Sequence, residues 1–249
     1  HGDRPDGLRQ SPGAGRLVTA GAVAIVLAAG SGERLGRAEP KAFLEVAGTP
    51  MVVRAAEAAA ACPAVASLVV TVPSGHERTA RTILAPGKPV VVVTGGHSRH
   101  VSVAKALAAV PDRVSFVVCH DAARPFASPQ LFVLVLGALE VSPDAAGAIP
   151  VVPVTDTAKR VRGGFVVRTE GSREELALAQ TPQAFQSSAL RDAHGRAAQA
   201  GREFSDDAAA LEWAGYRVAA VAGDPDNFKI TTPEDLALAE LFAAERARG

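Results

Sequence analysis

Residues able to handle phosphate crowd together near the start of this chain. Leu27-Ala28-Ala29-Gly30-Ser31-Gly32-Glu33-Arg34-Leu35-Gly36 is a run of small residues directly behind an apolar segment. Arg34 stands inside it, and Lys41 follows Glu39-Pro40 just beyond. Small residues let the backbone approach a ligand, and successive N–H groups can then point at phosphate oxygens. At the carboxyl end of a strand in an open α/β sheet, such a loop lies where ligands bind. The segment from Ala28 to Lys41 is therefore expected to grip the triphosphate of a nucleotide.

Two familiar phosphate loops fit poorly. A Walker loop needs Gly-Lys-Ser/Thr after a four-residue spacer, which is absent. The dinucleotide fingerprint needs a third glycine where Leu35 stands and an acid at the end of the next strand, whereas the second apolar run ends Val72-Pro73-Ser74. That argues against a nicotinamide-dependent dehydrogenase. A glycine-rich loop carrying Arg34 and followed by Pro-Lys is a more specific pattern.

The loop resembles the signature of the GT-A-like nucleotidyltransferases. Val118-Cys119-His120-Asp121-Ala122-Ala123-Arg124-Pro125 is similar to the motif of one branch, the 2-C-methyl-D-erythritol 4-phosphate cytidylyltransferases. The resemblance continues through Pro153-Val154-Thr155-Asp156-Thr157, Gln180-Thr181-Pro182-Gln183, Asp206-Asp207-Ala208, Asp226-Asn227-Phe228-Lys229 and Thr232-Pro233-Glu234-Asp235-Leu236. It runs in order from about Val23 to the last helical segment.

The resemblance implies attack of a polyol phosphate on the α-phosphorus of CTP, with pyrophosphate leaving. A phosphate monoester is mostly a dianion at neutral pH, so it is already a nucleophile and needs no catalytic base. The difficulty is to bring two polyanions together, which calls for cations and in-line positioning. On this footing Arg34 and Lys41 stabilise charge at the α-phosphate, and Arg173 and Lys229 hold the attacking substrate. Asp121, Ala122, Arg124, Thr157 and Thr181 lie on the substrate side. The backbone of Ala28, Ala29, Gly30, Ser31 and Gly32, with Gly95, Gly96, Arg99 and Ser102, takes the nucleotide. Mg2+ or another divalent cation is expected, held mainly by the CTP phosphates, with Asp121 as a candidate ligand. His97 follows Gly95-Gly96 where many relatives carry an acid, so a carboxylate role there does not carry over. His120 reads as a structural hydrogen-bonder, and Trp213 and Tyr216 as core.

Positioning these groups requires a sheet. Val23–Leu27, Ser67–Val72, Val90–Thr94, Val114–Cys119 and Ala145–Val152 are short apolar runs alternating with helical stretches at Met51–Ala61, Ser98–Val110 and Ser128 to about Val141. Thr49 and Pro50 are expected to open the first of these helices. The pattern predicts a largely parallel α/β sheet with helices on both faces, and the resemblance implies that it is the Rossmann-like, mixed and mainly parallel kind. After Pro153 the regularity breaks. Thr155–Thr169, turning at Arg162-Gly163-Gly164, reads as a protruding β-hairpin arm (about 154–172), polar and rich in arginine. In the family this arm exchanges across a homodimer, so that one subunit's Thr and Arg complete the other's site. Helices near Ser188–Ala200 and Ser205–Ala214, a strand at Arg217–Val221 and a capped final helix after Thr232 complete the chain.

Composition narrows the classes further. Lys+Arg and Asp+Glu balance at 26 each, so no global field favours nucleic acid or an anionic membrane. No charge-free apolar stretch approaches the length of a membrane span. The two cysteines, Cys62 and Cys119, are isolated and fit a reducing cytoplasm, with Cys119 expected to be buried. Residues 1–20, rich in Gly, Pro and Arg and lacking an initiator Met, read as a disordered extension or an expression remnant, leaving 21–249 as one nucleotidyltransferase domain. Two alternatives stay open: the same chemistry on ribitol 5-phosphate, and a non-catalytic nucleotide-binding module.

Overall fold

The computed structural model describes residues 21–30, 32 and 40–248. The expectations for residues 1–20, Ser31 and Arg34 lie outside the described residues.

The first strand, β1 (Ala22–Leu27), has almost every residue buried, Ile25 and Val26 completely. A strand covered on both faces has no reason to alternate apolar with polar residues, and its sequence Ala-Val-Ala-Ile-Val-Leu does not. Each fully buried Val or Ile contributes about 1.5–3 kcal/mol. A two-strand hairpin, β2 (Glu45–Val46) and β3 (Thr49–Pro50), then leads into α1 (Met51–Ala61). Thr49 therefore does not cap that helix as expected. It pairs with Val46, and Pro50 stands at the N-cap without a side-chain bond.

Next come β4 (Val65–Val72), α2 (Glu77–Ile83), β5 (Val90–Thr94), α3 (Arg99–Leu107), β6 (Phe116–Asp121), α4 (Pro129–Glu140) and β7 (Gly147–Pro153). The arm is β8 (Lys159–Arg162) and β9 (Phe165–Thr169), followed by β10 (Ala177–Ala179), β11 (Gln183–Gln186), α5 (Ser187–Gln199), α6 (Asp207–Trp213), β12 (Val218–Ala222) and α7 (Pro233–Arg246). Side chains cap the helix starts where the sequence signals it. Ser98, Ser128 and Asp206 accept from Val101, Leu131 and Ala209, and Thr232 with Asp235 forms a capping box. Such caps contribute about 1 kcal/mol each.

Eight strands form the main sheet. β5, β4, β1 and β6 run parallel in that spatial order. β11 is antiparallel to both β6 and β7, β10 continues it antiparallel to β7, and β12 lies parallel along the other side of β7. One core face is formed with α1 and α4, the other with α3, α5 and α6. The mainly parallel α/β sheet agrees with the expectation. A third, smaller cluster packs Phe228, Leu236 and Phe242 around Met51, Phe126 and Ile230, seating α7 against the β2–β3 hairpin. Trp213 and Tyr216 are half-buried at the rim rather than in the core: Arg196 and Arg202 lie over the Trp213 ring, and the Tyr216 hydroxyl donates to Asp192.

The arm forms its own two-stranded sheet. It is less polar than its arginines suggest, because Val161, Phe165, Val166 and Val167 are all exposed, Phe165 by 79%. No helix of the described residues is long and apolar enough to cross a membrane.

Candidate active site

Because β1, β4, β5 and β6 are parallel, their carboxyl ends share one edge of the sheet. Pairing persists one step beyond the strands: Ala28 N–H donates to Thr71, Gly95 N–H to Val72 and Ala122 N–H to Leu27. The chain then leaves the sheet and the loops line a cleft of about 580 Å3.

One wall of the cleft is the backbone of Ala28, Ala29, Gly30 and Gly32 together with Lys41. Gly32 has φ +69°, and a Cβ built on it would lie 2.5 Å from the Lys41 Cβ. Only a glycine lets the loop close onto the lysine here. Lys41 opens a short 3-10 turn whose Ala42 and Phe43 are buried, which anchors its stem. The neighbouring wall is Gly96, His97, Ser98, Arg99 and Ser102. Ser102 organises it: its hydroxyl accepts from Gly96 N–H and donates to the Ser98 carbonyl. Gly95 packs so tightly that an added Cβ would stand 2.2 Å from Ala29, which draws the two walls together behind the cleft. His97 is exposed and pairs with Glu203 at 3.1 Å.

The cleft is also lined by Asp121, Ala123, Lys229 and Thr231. Lys229 Nζ donates to Asp121 Oδ2 at 2.6 Å, and Arg99 Nε to Asp121 Oδ1 at 3.0 Å. Burial alone would raise the Asp121 carboxyl, but the Arg99 guanidinium and Lys229 ammonium outweigh it and hold it far below the usual carboxylate range. Arg99 Nη1 also donates to Asp207 Oδ2 at 2.7 Å. Asp207 is buried too. Burial opposes its charge, yet Arg99 and the His194 hydrogen bond bring its pKa down to about 2.

Several expected substrate-side residues stand behind the cleft rather than in it. Arg124 donates to the carbonyls of Asn227 and Ala179, so it fastens the loop that carries Lys229. Ala122 is fully buried. Thr181, also buried, accepts from Asp121 N–H and donates to His120 Nδ1, and His120 Nε2 donates to the Arg124 carbonyl. That pattern needs the neutral Nε2–H tautomer. Burial accordingly pushes the His120 pKa down to about 4. Thr157 and Arg173 are exposed at the base of the arm, away from the cleft of their own chain, and Arg173 donates to the Thr155 carbonyl. Cys119 is buried and its thiol is pushed up by burial.

Asp121 does not offer a ready metal seat, since each of its oxygens faces a cation. Among the described residues no group of three His, Cys, Asp or Glu could hold a metal. The sequence reading also missed the residues that support the site. Asp207 lies in the Asp206-Asp207-Ala208 motif quoted for the resemblance, but His194 and Thr231 carried no signal.

A glycine-lined backbone cradle and two lysines, Lys41 and Lys229, lining one cleft at the carboxyl edge of a mainly parallel sheet fit an α/β nucleotidyltransferase. Comparison with known proteins narrows the class. Residues 22–245 match the family model described as 2-C-methyl-D-erythritol 4-phosphate cytidylyltransferase (IspD). An enzyme of that name from Nocardia farcinica is 44% identical over 225 residues, covering 90% of this chain and 95% of that one. The crystal structure of 2-C-methyl-D-erythritol 4-phosphate cytidylyltransferase from Thermus thermophilus is 37% identical, with a TM-score of 0.72 over 90% of this chain and 99% of that one. A bifunctional enzyme IspD/IspF from Nitrobacter hamburgensis is 40% identical over 90% of this chain, which spans only 54% of that protein. The chain belongs to the 2-C-methyl-D-erythritol 4-phosphate cytidylyltransferase family.

Proposed function

We propose that this cleft transfers CMP from CTP to the phosphate of 2-C-methyl-D-erythritol 4-phosphate, giving 4-diphosphocytidyl-2-C-methyl-D-erythritol and pyrophosphate, a step of non-mevalonate isoprenoid precursor synthesis. The observation that carries this reading is that Lys41, from the loop after β1, and Lys229, from the loop after β12, line one cleft. Binding alone would not require a cation on each side of the α-phosphorus. Joining two polyanions does.

An oxygen of the attacking phosphate dianion bonds to the α-phosphorus, and the bond from that phosphorus to the oxygen bridging the β-phosphorus breaks. The electron pair leaves with pyrophosphate. Lys41 neutralises the charge that builds on the α-phosphate, as the resemblance also implies for Arg34, and backbone N–H groups of Ala29, Gly30 and Gly32 cradle the phosphates. Lys229, steadied by Asp121, meets the incoming phosphate as a point charge. A divalent cation such as Mg2+ would ride on the nucleotide phosphates, with its coordination supplied mainly by the ligand.

The arm serves a homodimer in this reading. An isolated two-stranded hairpin is marginal in water, and one exposing Val161, Phe165, Val166 and Val167 gains stability by docking. Arg173 and Thr157, unused in their own cleft, are then available to a second copy.

The test supplies CTP with 2-C-methyl-D-erythritol 4-phosphate or with ribitol 5-phosphate and follows pyrophosphate release. Faster turnover of ribitol 5-phosphate would reassign the polyol. Absence of pyrophosphate with either, despite CTP binding, would leave a nucleotide-binding module.

A further inference from the structure

A line of alternating charges, Lys229, Asp121, Arg99 and Asp207, runs from the cleft into the protein and ends on a hydrogen bond between Asp207 and His194. The links are 2.6, 3.0, 2.7 and 3.0 Å long. Its cleft end is the more exposed, 40% for the Lys229 side chain, 10% for Asp121 and 20% for Arg99, against 1% and 4% for Asp207 and His194 at the inner end. The far end is braced. His194 stacks on His100 with ring centroids 4.2 Å apart, and Asp207 opens α6, where its charge also meets the helix N-terminus. Arg99 spends both of its ion pairs inside this line, although it faces the cleft.

We propose that Asp207 is a positioning residue, which acts through Arg99 and Asp121 to fix where the Lys229 ammonium stands. The proposal rests on the reading of Lys229 as the group that receives the attacking phosphate. Three features carry it. Asp207 is not itself among the residues that line the cleft, so it acts on a substrate only through others, Arg99 first. Arg99 uses separate nitrogens for its two carboxylates, so its planar fork holds Asp121 at an angle set by Asp207. Asp121 in turn uses separate oxygens for Arg99 and Lys229, so rotation of its carboxylate moves the lysine. With Asp207 neutral, Arg99 has a single carboxylate to pair with and draws Asp121 away from Lys229.

The experiment compares Asp207→Asn, Lys229→Ala and the double variant in steady-state assays, with CTP binding followed by calorimetry. Asp207→Asn is expected to lower kcat/KM for the polyol phosphate tenfold or more while the Kd for CTP changes less than twofold. Added to Lys229→Ala, it should cost nothing further. Multiplying losses in the double variant would overturn the proposal, since they would mean an effect independent of Lys229. Equal weakening of CTP and polyol phosphate would overturn it as well. If Asp207→Asn does not fold, Asp207→Glu, which keeps the charge but moves it by one methylene, should give the same selective loss. Acylation of Lys229 by acetic anhydride, read by mass spectrometry in the nucleotide-free enzyme, separates this inference from the functional reading. It should rise several-fold in Asp207→Asn whichever polyol is the substrate, and unchanged labelling would refute the coupling.

Discussion

Gly32 and Lys41 touch so closely that a single methyl group at the glycine would stand 2.5 Å from the lysine Cβ. Backbone and side chain therefore converge on the same phosphates. Gly32→Ala would have to hold a left-handed backbone and displace the lysine at once. Strain of this kind costs about 1–3 kcal/mol, so CTP affinity should drop about 5- to 150-fold. Calorimetric titration with CTP reads this directly, and unchanged affinity would mean that the loop closes on Lys41 differently when the nucleotide is bound.

Lys41 itself is expected to matter more for the reaction than for binding. Charge on the α-phosphate grows as the new bond forms, so an ammonium aimed there strengthens its interaction in the transition state. Lys41→Ala should lower kcat about 100- to 1000-fold while weakening CTP binding only a few-fold. Equal losses in kcat and in affinity would support a site that binds nucleotide without turning it over.

These two predictions draw on parts of the site that were legible in the sequence, and the reasons are physical. A glycine-rich run after an apolar strand, with cations at short range, is a local pattern. So are the apolar strands β1, β4 to β7 and β12, and the capped helices. What escaped was either short or assembled from afar. α2 buries only Ala80 and shows no apolar stripe. β10 and β11 are three and four residues long and lack β-branched side chains, so nothing announced the antiparallel insertion between β6 and β7. The Arg99–Asp207 pair joins residues 108 positions apart. Thr181 and Arg124 stand in matching motifs, yet their polar atoms are turned toward His120, Asp121 and Asn227. A motif records which residues are present and leaves open which neighbour each one bonds.

His120 should make stability depend on mild acid. Its folded pKa of about 4 lies below the ordinary 6.5 because the ring is buried in its neutral form. Between those values the unfolded chain binds more protons, so stability is complete above about pH 6.5 and falls as the pH drops toward 4. Linkage puts the loss at about 3 kcal/mol. His120→Gln, whose amide can accept from Thr181 and donate to the Arg124 carbonyl, should flatten that part of the curve. Asp207 acts in a separate window: its pKa of about 2 lies below the ordinary 3.8, so its contribution is present above about pH 4 and disappears as the pH falls through 2. Urea midpoints measured from pH 3 to 8 for both proteins distinguish the two. A slope between pH 4 and 6.5 that persists in His120→Gln would place its origin elsewhere.

Arg173 is not among the residues lining its own cleft and donates to the Thr155 carbonyl at 3.2 Å, so its role is open to a test across two subunits. If Arg173 serves a partner's site, Arg173→Ala and Lys41→Ala damage different halves of each composite site. Each homodimer should then be nearly inactive. In a hybrid dimer the cleft of the Arg173→Ala subunit keeps its own Lys41 and receives Arg173 from the other chain. Random exchange makes half of the dimers hybrids with one sound site in two, so mixing should restore about a quarter of the wild-type activity. Phe165→Asp places a charge on the exposed apolar face of the arm, and it should shift the protein to monomer in sedimentation and abolish the restoration. Activity that stays absent after mixing, in a protein that sediments as a monomer, would assign Arg173 to its own chain's site, and full activity of Arg173→Ala alone would place it outside the catalytic unit.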